Sequence, residues 1–141
     1  MSREVLFKAK RKNNGEWVEG GFFKEPYTDK TFIIGWNSTG MGFNEFIEVN
    51  PETVCQYTGL TDKNGKEIWE NDVITISAYS YDEPEDDYTG IVIYSEYCAG
   101  WCLKDINHDC MILPICDCAG SYITENHYIG NIFDNPELLE V

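Results

Sequence analysis

The chain has 141 residues, 43% of them apolar and 25% charged, which is enough for one domain that buries a core of its own. Ten Lys or Arg stand against twenty-five Asp or Glu, a formal charge of −15, and that much negative charge repels a phosphate backbone or an anionic membrane surface. Direct nucleic-acid binding and attachment to a membrane surface are therefore disfavoured from the outset.

The opening MSREVLFKAKRKNNGE meets charge within three residues. It never reaches the roughly 7 to 15-residue apolar stretch of a secretory signal, and no apolar window of about 18 residues follows. The chain therefore reads as cytoplasmic, with no membrane span. Residues 4–12, EVLFKAKRK, form an amphipathic strand with Val5, Phe7 and Ala9 on one side. Asn13, Asn14 and Gly15 reach positive φ cheaply, which predicts a tight turn and a returning strand through Trp17 and Val18. Gly20-Gly21 is expected to reopen the chain before Phe22 and Phe23, and Pro26 to end that apolar piece. Thr31 to Trp36 is β-rich, and NSTGMGFNEF at 37–46 has the composition of a loop. Its glycines miss a phosphate-loop spacing, and no cation follows to neutralise a phosphate.

Pro51 holds Asn50 extended after the apolar run Phe46, Ile47, Val49. Val54, Gln56 and Thr58 then alternate with Cys55 and Tyr57, DKNG fills 62–65, and KEIW resumes at Lys66. This predicts strand, turn and strand over 53–70, with Asn64-Gly65 at left-handed positions. Glu70-Asn71-Asp72 turns the chain again, and the β-branched run at 73–76 belongs in the middle of a sheet. Five of the six residues 82–87 are acidic, so YSYDEPEDDY at 79–88 is expected as a mobile excursion. TGIVIY at 89–94 resumes a strand, with Gly90 marking a bend or bulge. Short apolar stretches around Trp101, Leu103 and Ile106, at 111–116, at 122–123 and at 128–133 continue the pattern. NPELL at 135–139 suits one helical turn with Asn135 as cap and Pro136 first. No stretch longer than about twelve residues carries a helical apolar period.

The expected fold is mostly β: a small, strongly bent mixed or antiparallel sheet forming an SH3-like or pseudo-barrel core. One domain is expected over 1–141, with an N-terminal hairpin region at 1–50 and a barrel-like core at 51–141. Charge is uneven along it. Nine basic and eleven acidic residues precede residue 71, and one basic and fourteen acidic follow, so Lys104 is the sole cation of the later part. Most of those carboxylates must face water, a metal, or a basic partner.

Six cysteines without an export signal read as thiols rather than a disulfide scaffold. Cys98/Cys102 and Cys116/Cys118, with His108 and Cys110 between them, are the candidate ligands for zinc, which needs about four convergent N or S donors. The first pair has C-x₃-C spacing, whereas the C-x-C of the second fits one ion tightly. Buried or incidental thiols are the competing reading. A cysteine nucleophile lacks an evident base, because His108 sits in the turn-like INHDC and His127 in TENHY. No pair of carboxylates is singled out for acid-base work, and DKNGKE at 62–67 resembles only the start of a calcium loop. Trp17, Trp36, Trp69 and Trp101 suit a β core and rim, or a protein-binding face.

At 53–72, TVCQYTGLTDKNGKEIWEND resembles the YopX family of phage and prophage proteins, whose pattern is approximately TVxQYTGLxDKNGKEIYEGD followed by a hydrophobic strand, here VITI. IGNIFDNPELL at 129–139 is similar to the family's closing IGNIYENPELL, and LFKAKR at 6–11 to its opening. The positions that carry the resemblance are Gln56, Tyr57, Thr58, Gly59, Leu60, Asp62, Gly65, Glu70, Asp72, Gly130, Asn131 and Pro136. Trp69 replaces Tyr, and Asn71 replaces Gly while still tolerating a left-handed turn. The resemblance implies a mostly β protein of phage or prophage origin, working in the cytoplasm of a bacterial host. It transfers no catalytic residue, and the motif positions read as turns and strand junctions.

The leading functional reading is a non-enzymatic acidic accessory domain, without a cofactor, that binds a host or phage protein with a basic surface. Mimicry of nucleic-acid charge is subsidiary to it. One alternative is a zinc-stabilised domain or metal-dependent enzyme built on the 98–118 cluster, and another is a structural homo-oligomer.

Overall fold

The computed structural model describes residues 5–36, 44–82, 84–97, 99–106, 112–115 and 121–139. Among these, all regular structure is strand apart from two short 3-10 turns, as the alternation of apolar residues and the lack of helical period predict. The chain divides into two compact units, Met1–Gly59 and Leu60–Val141.

In the first unit, β1 (Phe7–Lys10), β2 (Trp17–Lys24), β3 (Thr31–Trp36), β4 (Asn44–Val49) and β5 (Cys55–Thr61, in which the unit boundary falls) lie in the order β4-β3-β2-β1-β5. All the pairings are antiparallel. The first hairpin is closed by Arg11 N–H donating to Glu16 O at 2.8 Å. Contrary to expectation, Gly20-Gly21 does not interrupt β2. A Cβ at Gly20 would lie 2.1 Å from the carbonyl oxygen of Ile34, so this glycine lets β3 approach rather than breaking the strand. Ala9, Ile33 and Val49 are fully buried, with Phe7, Val18, Ile47 and Val54 packed against them. Beyond its last residue, β1 reaches the end of β4: Arg11 bridges Val49, Lys12 N–H donates to Glu48 O at 3.1 Å, and Asn50 N–H to Lys10 O at 3.0 Å. The sheet therefore curls until its first and fourth strands meet at one corner.

In the second unit, the chain turns through Asp62 into β6 (Glu67–Trp69). β7 (Asp72–Ser80), β8 (Asp86–Ser95), β9 (Gly100–Asp105), β10 (Ile112–Pro114) and β11 (Ser121–Asn131) form an antiparallel sheet in the order β10-β9-β8-β7-β11. The 73–76 run is thus flanked by strands on both sides, as its β-branched composition predicts. Ile68, Ile74, Ile76, Ala78, Val92, Leu103 and Ile115 make the core. Two expectations are corrected here. The acidic excursion shrinks to 81–85, because β7 and β8 extend until Asp86 pairs with Ala78. The apolar pieces at 122–123 and 128–133 join in one strand, whose register shifts after Ile123 and Tyr128 absorb the polar residues between them.

The mostly β class holds, and the sheets are antiparallel. Neither closes into a barrel. In the second sheet β10 and β11 stand at opposite edges, and in the first the closure is confined to the Arg11–Val49 corner.

Candidate functional site

The motif residues of β5 begin as sheet members. Gln56 pairs with Phe7, and the buried Tyr57 donates its N–H to Leu6 O at 2.8 Å. Thr58 is half-buried, and Gly59 has φ +85°, a left-handed conformation. Leu60 packs on the core of the second unit. Asp62 then organises the turn. One carboxylate oxygen accepts the N–H groups of Asn64 and Lys66, each at 2.9 Å, and the other accepts Tyr128 N–H at 3.1 Å. Lys63 N–H also donates to Asn126 O at 3.1 Å, so this turn covers part of the outer edge of β11. Gly65, at φ +84°, takes the left-handed position, whereas Asn64 does not share it. Burial pushes the Asp62 carboxyl up, but the three N–H donors and nearby His127 outweigh it and hold the group below the usual carboxylate range. With both oxygens committed to backbone donors, Asp62 serves as a structural acceptor rather than the first ligand of a calcium loop.

The later motif positions form a second lock. Asn71 adopts φ +72°, the left-handed conformation. Its N–H donates to Val92 O at 2.9 Å and its carbonyl accepts Ile132 N–H at 3.1 Å. Glu70 is half-buried beside it. Asp72, 1% exposed, accepts Trp69 N–H at 2.8 Å. Asn131 Oδ1 accepts the N–H groups of Phe133 and Asp134 at 2.9 Å, and its own N–H donates to Asn135 Oδ1 at 3.2 Å. A Cβ at Gly130 would come within 2.6 Å of the Leu138 side chain and 2.7 Å of Asn135 Oδ1, so glycine leaves room for both where the 3-10 turn Pro136–Leu139 folds back against β11. Burial raises the Tyr128 hydroxyl; an Asn131 hydrogen bond opposes this, and the charges of Asp72 and Asp134 add to it. The motif residues described here form a set of turn and edge locks.

Of the candidate zinc ligands, only Cys102 is described. It is buried, with Sγ 3.8 Å from Gly100 O. Cys98, His108, Cys110, Cys116 and Cys118 lie outside the described residues, and among those described no three His, Cys, Asp or Glu side chains gather to hold a metal. Cys55 is a second buried thiol, donating to Thr53 O at 3.2 Å.

The surface of the second unit carries the other candidate. The unit holds seventeen Asp or Glu against three Lys. Lys63 is bound to Glu125 at 3.1 Å and Lys66 lies 4.4 Å over the Tyr128 ring, leaving Lys104 exposed on β9. Asp82, Glu85, Asp86 and Asp87 are exposed at the β7–β8 hairpin end, and none forms an ion pair among the described residues. Ser77 donates to Asp87 at 2.6 Å, and Thr124 bonds Glu85. Tyr81 is 95% exposed and Tyr97 99%, and Tyr79 and Tyr94 also face solvent, Tyr94 packing edge-on to Trp101 at 5.6 Å. At the hairpin end the carboxylates beside the exposed Tyr79 and Tyr81 rings suit Lys or Arg side chains, by charge and by cation–π contact, whereas Tyr94 and Tyr97 lie at the opposite end of β8.

The first unit has a different surface, which composition alone did not mark. Cross-strand register places Phe23 opposite Phe32 and Ile34 opposite Phe46, on the face away from Ile33. The Phe46 ring meets both Phe23 and Phe32 edge-on at 6.3 Å and is itself 65% exposed. On β1, Lys8 and Lys10 reach over the Trp17 ring at 4.7 and 5.3 Å. The signal available in the sequence was the alternation within KAKRK, which puts Arg11 on the side of Ala9 while Lys8, Lys10 and Lys12 take the other.

The family described as YopX protein matches residues 6–140. Among solved structures, the chain is similar to the crystal structure of protein EF1440 from Enterococcus faecalis, at 25% identity and a TM-score of 0.53, over 99% of this chain and 100% of that one. A comparison with curated proteins finds no match.

Proposed function

The chain belongs to the YopX family, and on that premise we propose that it is a phage or prophage accessory protein whose acidic second unit binds a basic segment of a host or phage protein in the bacterial cytoplasm. The observation that carries the reading is the uncompensated negative charge of the β7–β8 hairpin end beside exposed Tyr79 and Tyr81. Opposite charge steers encounter, and tyrosine supplies contact area at little entropic cost. The motif residues act here as the frame that holds β11 and the turn before β7 in place, and the reading requires no catalytic group. No helix among the described residues is long and apolar enough to cross a membrane, in keeping with a partner met in solution.

Partner capture from host cells, with the wild type and with the variant Asp82→Asn/Glu83→Gln/Glu85→Gln/Asp86→Asn/Asp87→Asn, tests the reading. A basic protein retained by the wild type, released by raised salt and lost with the variant is the expected result. Recovery of the same partner by both proteins, or of no specific partner, contradicts it.

A further inference from the structure

We propose that the outer edge of β4 in the first unit takes an extended peptide that presents one carboxylate to Arg11. This goes beyond the acidic surface described above: it lies on the other unit and selects the opposite charge.

A cavity of about 540 Å³ opens between the β1–β2 turn, with Arg11, Lys12 and Asn13 as one wall, and residues 45–48 of β4 as the other. Its size falls in the range of about 300–1,000 Å³ common for ligand sites. β4 is an edge strand: among the described residues its one full strand neighbour is β3. Alternation decides which of its backbone groups face outward. Glu48 O accepts Lys12 N–H, and Asn50 N–H donates to Lys10 O, so even-numbered residues point away from β3. Phe46 must do the same, and no described residue meets its outward N–H or C=O. The corner contact therefore uses the edge at 48–50 and stops, leaving one donor and one acceptor at Phe46 facing the cavity. This is the arrangement that strand addition uses.

The charge of the occupant follows from Arg11. Lys12 is already held by Glu48 at 3.2 Å. Arg11 has no carboxylate partner among the described residues, and its Nε is shut off from solvent without an acceptor. Because Nε is closed even to water, an incoming carboxylate meets the terminal Nη groups of the guanidinium, for which it is the best-matched acceptor. Register then sets the order of side chains. A residue placed opposite Phe46 puts its side chain beside the Phe46 ring, so an apolar residue belongs there. Its sequence neighbours fall on the side of Ile47 and Val49, which Arg11 shares through its pairing with Val49. One neighbour meets Arg11. The other lies towards Glu45, which disfavours a second acid. The preferred segment is an apolar residue with Asp or Glu on one side and a neutral residue on the other.

Two probes, the blocked peptides Thr-Asp-Val-Thr-Thr and Thr-Thr-Val-Asp-Thr, cover the two strand directions. Titration into the full chain, followed by amide resonances, is expected to show one of them slowing hydrogen exchange at the Phe46 N–H. Replacing its Asp by Asn, or methylating the nitrogen that would donate to Phe46 O (that of Val in the antiparallel probe Thr-Asp-Val-Thr-Thr, that of Asp in the parallel probe Thr-Thr-Val-Asp-Thr), should weaken binding about tenfold or more. Arg11→Gln should do the same with the unaltered peptide. The peptide-side changes leave the protein intact, so the test stands even where that variant folds poorly. Equal binding of Asp and Asn peptides, binding that leaves the Phe46 amide unprotected, or no binding at millimolar peptide overturns the proposal. So does protection of Phe46 that rises with protein concentration alone, which would mean that a second copy of the chain fills the edge.

Discussion

The two units use the same β chemistry for opposite surfaces. The first carries seven Lys or Arg and eight Asp or Glu, a net of −1, and exposes Phe22, Phe23 and Phe46 on its strands, with Tyr27 in a turn. The second carries three and seventeen, a net of −14, and exposes tyrosine. Their cores differ much less, each being a cluster of branched aliphatic side chains against one sheet face. Core composition explains that both fold, whereas the exposed face and edges distinguish what each can bind. The family motif is concentrated in the second unit, where it secures turns, so resemblance at those positions reports on the frame rather than on the surface.

The sharpest way to break the comparison is through the cores. Ile33→Ala in the first unit and Ile76→Ala in the second each remove a fully buried side chain and should each cost about 2–5 kcal/mol by chemical denaturation. A much smaller loss in one unit would mean that its core is not the closed cluster described here. Asp62→Ala comes next. It takes the acceptor from three backbone N–H groups, at a cost of about 2–3 kcal/mol, and should raise hydrogen exchange at Tyr128 and Lys66 before the rest of the second sheet. Because the Asp62 pKa is lowered in the folded chain, its contribution is fully present above the unfolded carboxylate pKa and is lost as pH falls through the folded one. Asp62→Asn should therefore flatten the acid limb of a stability–pH curve, and an unchanged limb would remove the carboxylate from the lock. Gly130→Ala should cost about 1–3 kcal/mol, because its methyl group meets Leu138 and Asn135. Lys63→Ala, which breaks an exposed ion pair, should cost about 1 kcal/mol or less and fade in high salt.

Much of this frame was legible in the residues. NNG at 13–15, DKNG at 62–65 and Asn71 marked turns because few residues tolerate left-handed backbone, and the β-branched run at 73–76 marked an interior strand. Errors fell where tertiary contacts overrode local preference. Gly20-Gly21 looked like a break but accommodates the carbonyl of Ile34, a neighbour fourteen positions away that local composition does not reveal. The acidic 79–88 segment looked like a long excursion, yet pairing with β7 draws Asp86 and Asp87 into β8 while their carboxylates remain in water. Barrel closure depended on which edges meet, and that was decided by the Arg11–Val49 corner rather than by any glycine. On the surface, net charge pointed to the acidic second unit. The Phe23, Phe32 and Phe46 cluster and the Arg11 cavity required cross-strand register, which one-dimensional alternation does not provide.

The central claim is that the acidic, tyrosine-bearing surface of the second unit is the partner-binding surface. Amide chemical-shift mapping of the isotope-labelled full chain, titrated with the captured basic partner, tests it most directly. The account predicts perturbations at residues 79–87 that disappear as salt is raised. Perturbations confined to residues 7–59, or a pattern indifferent to salt, would contradict it.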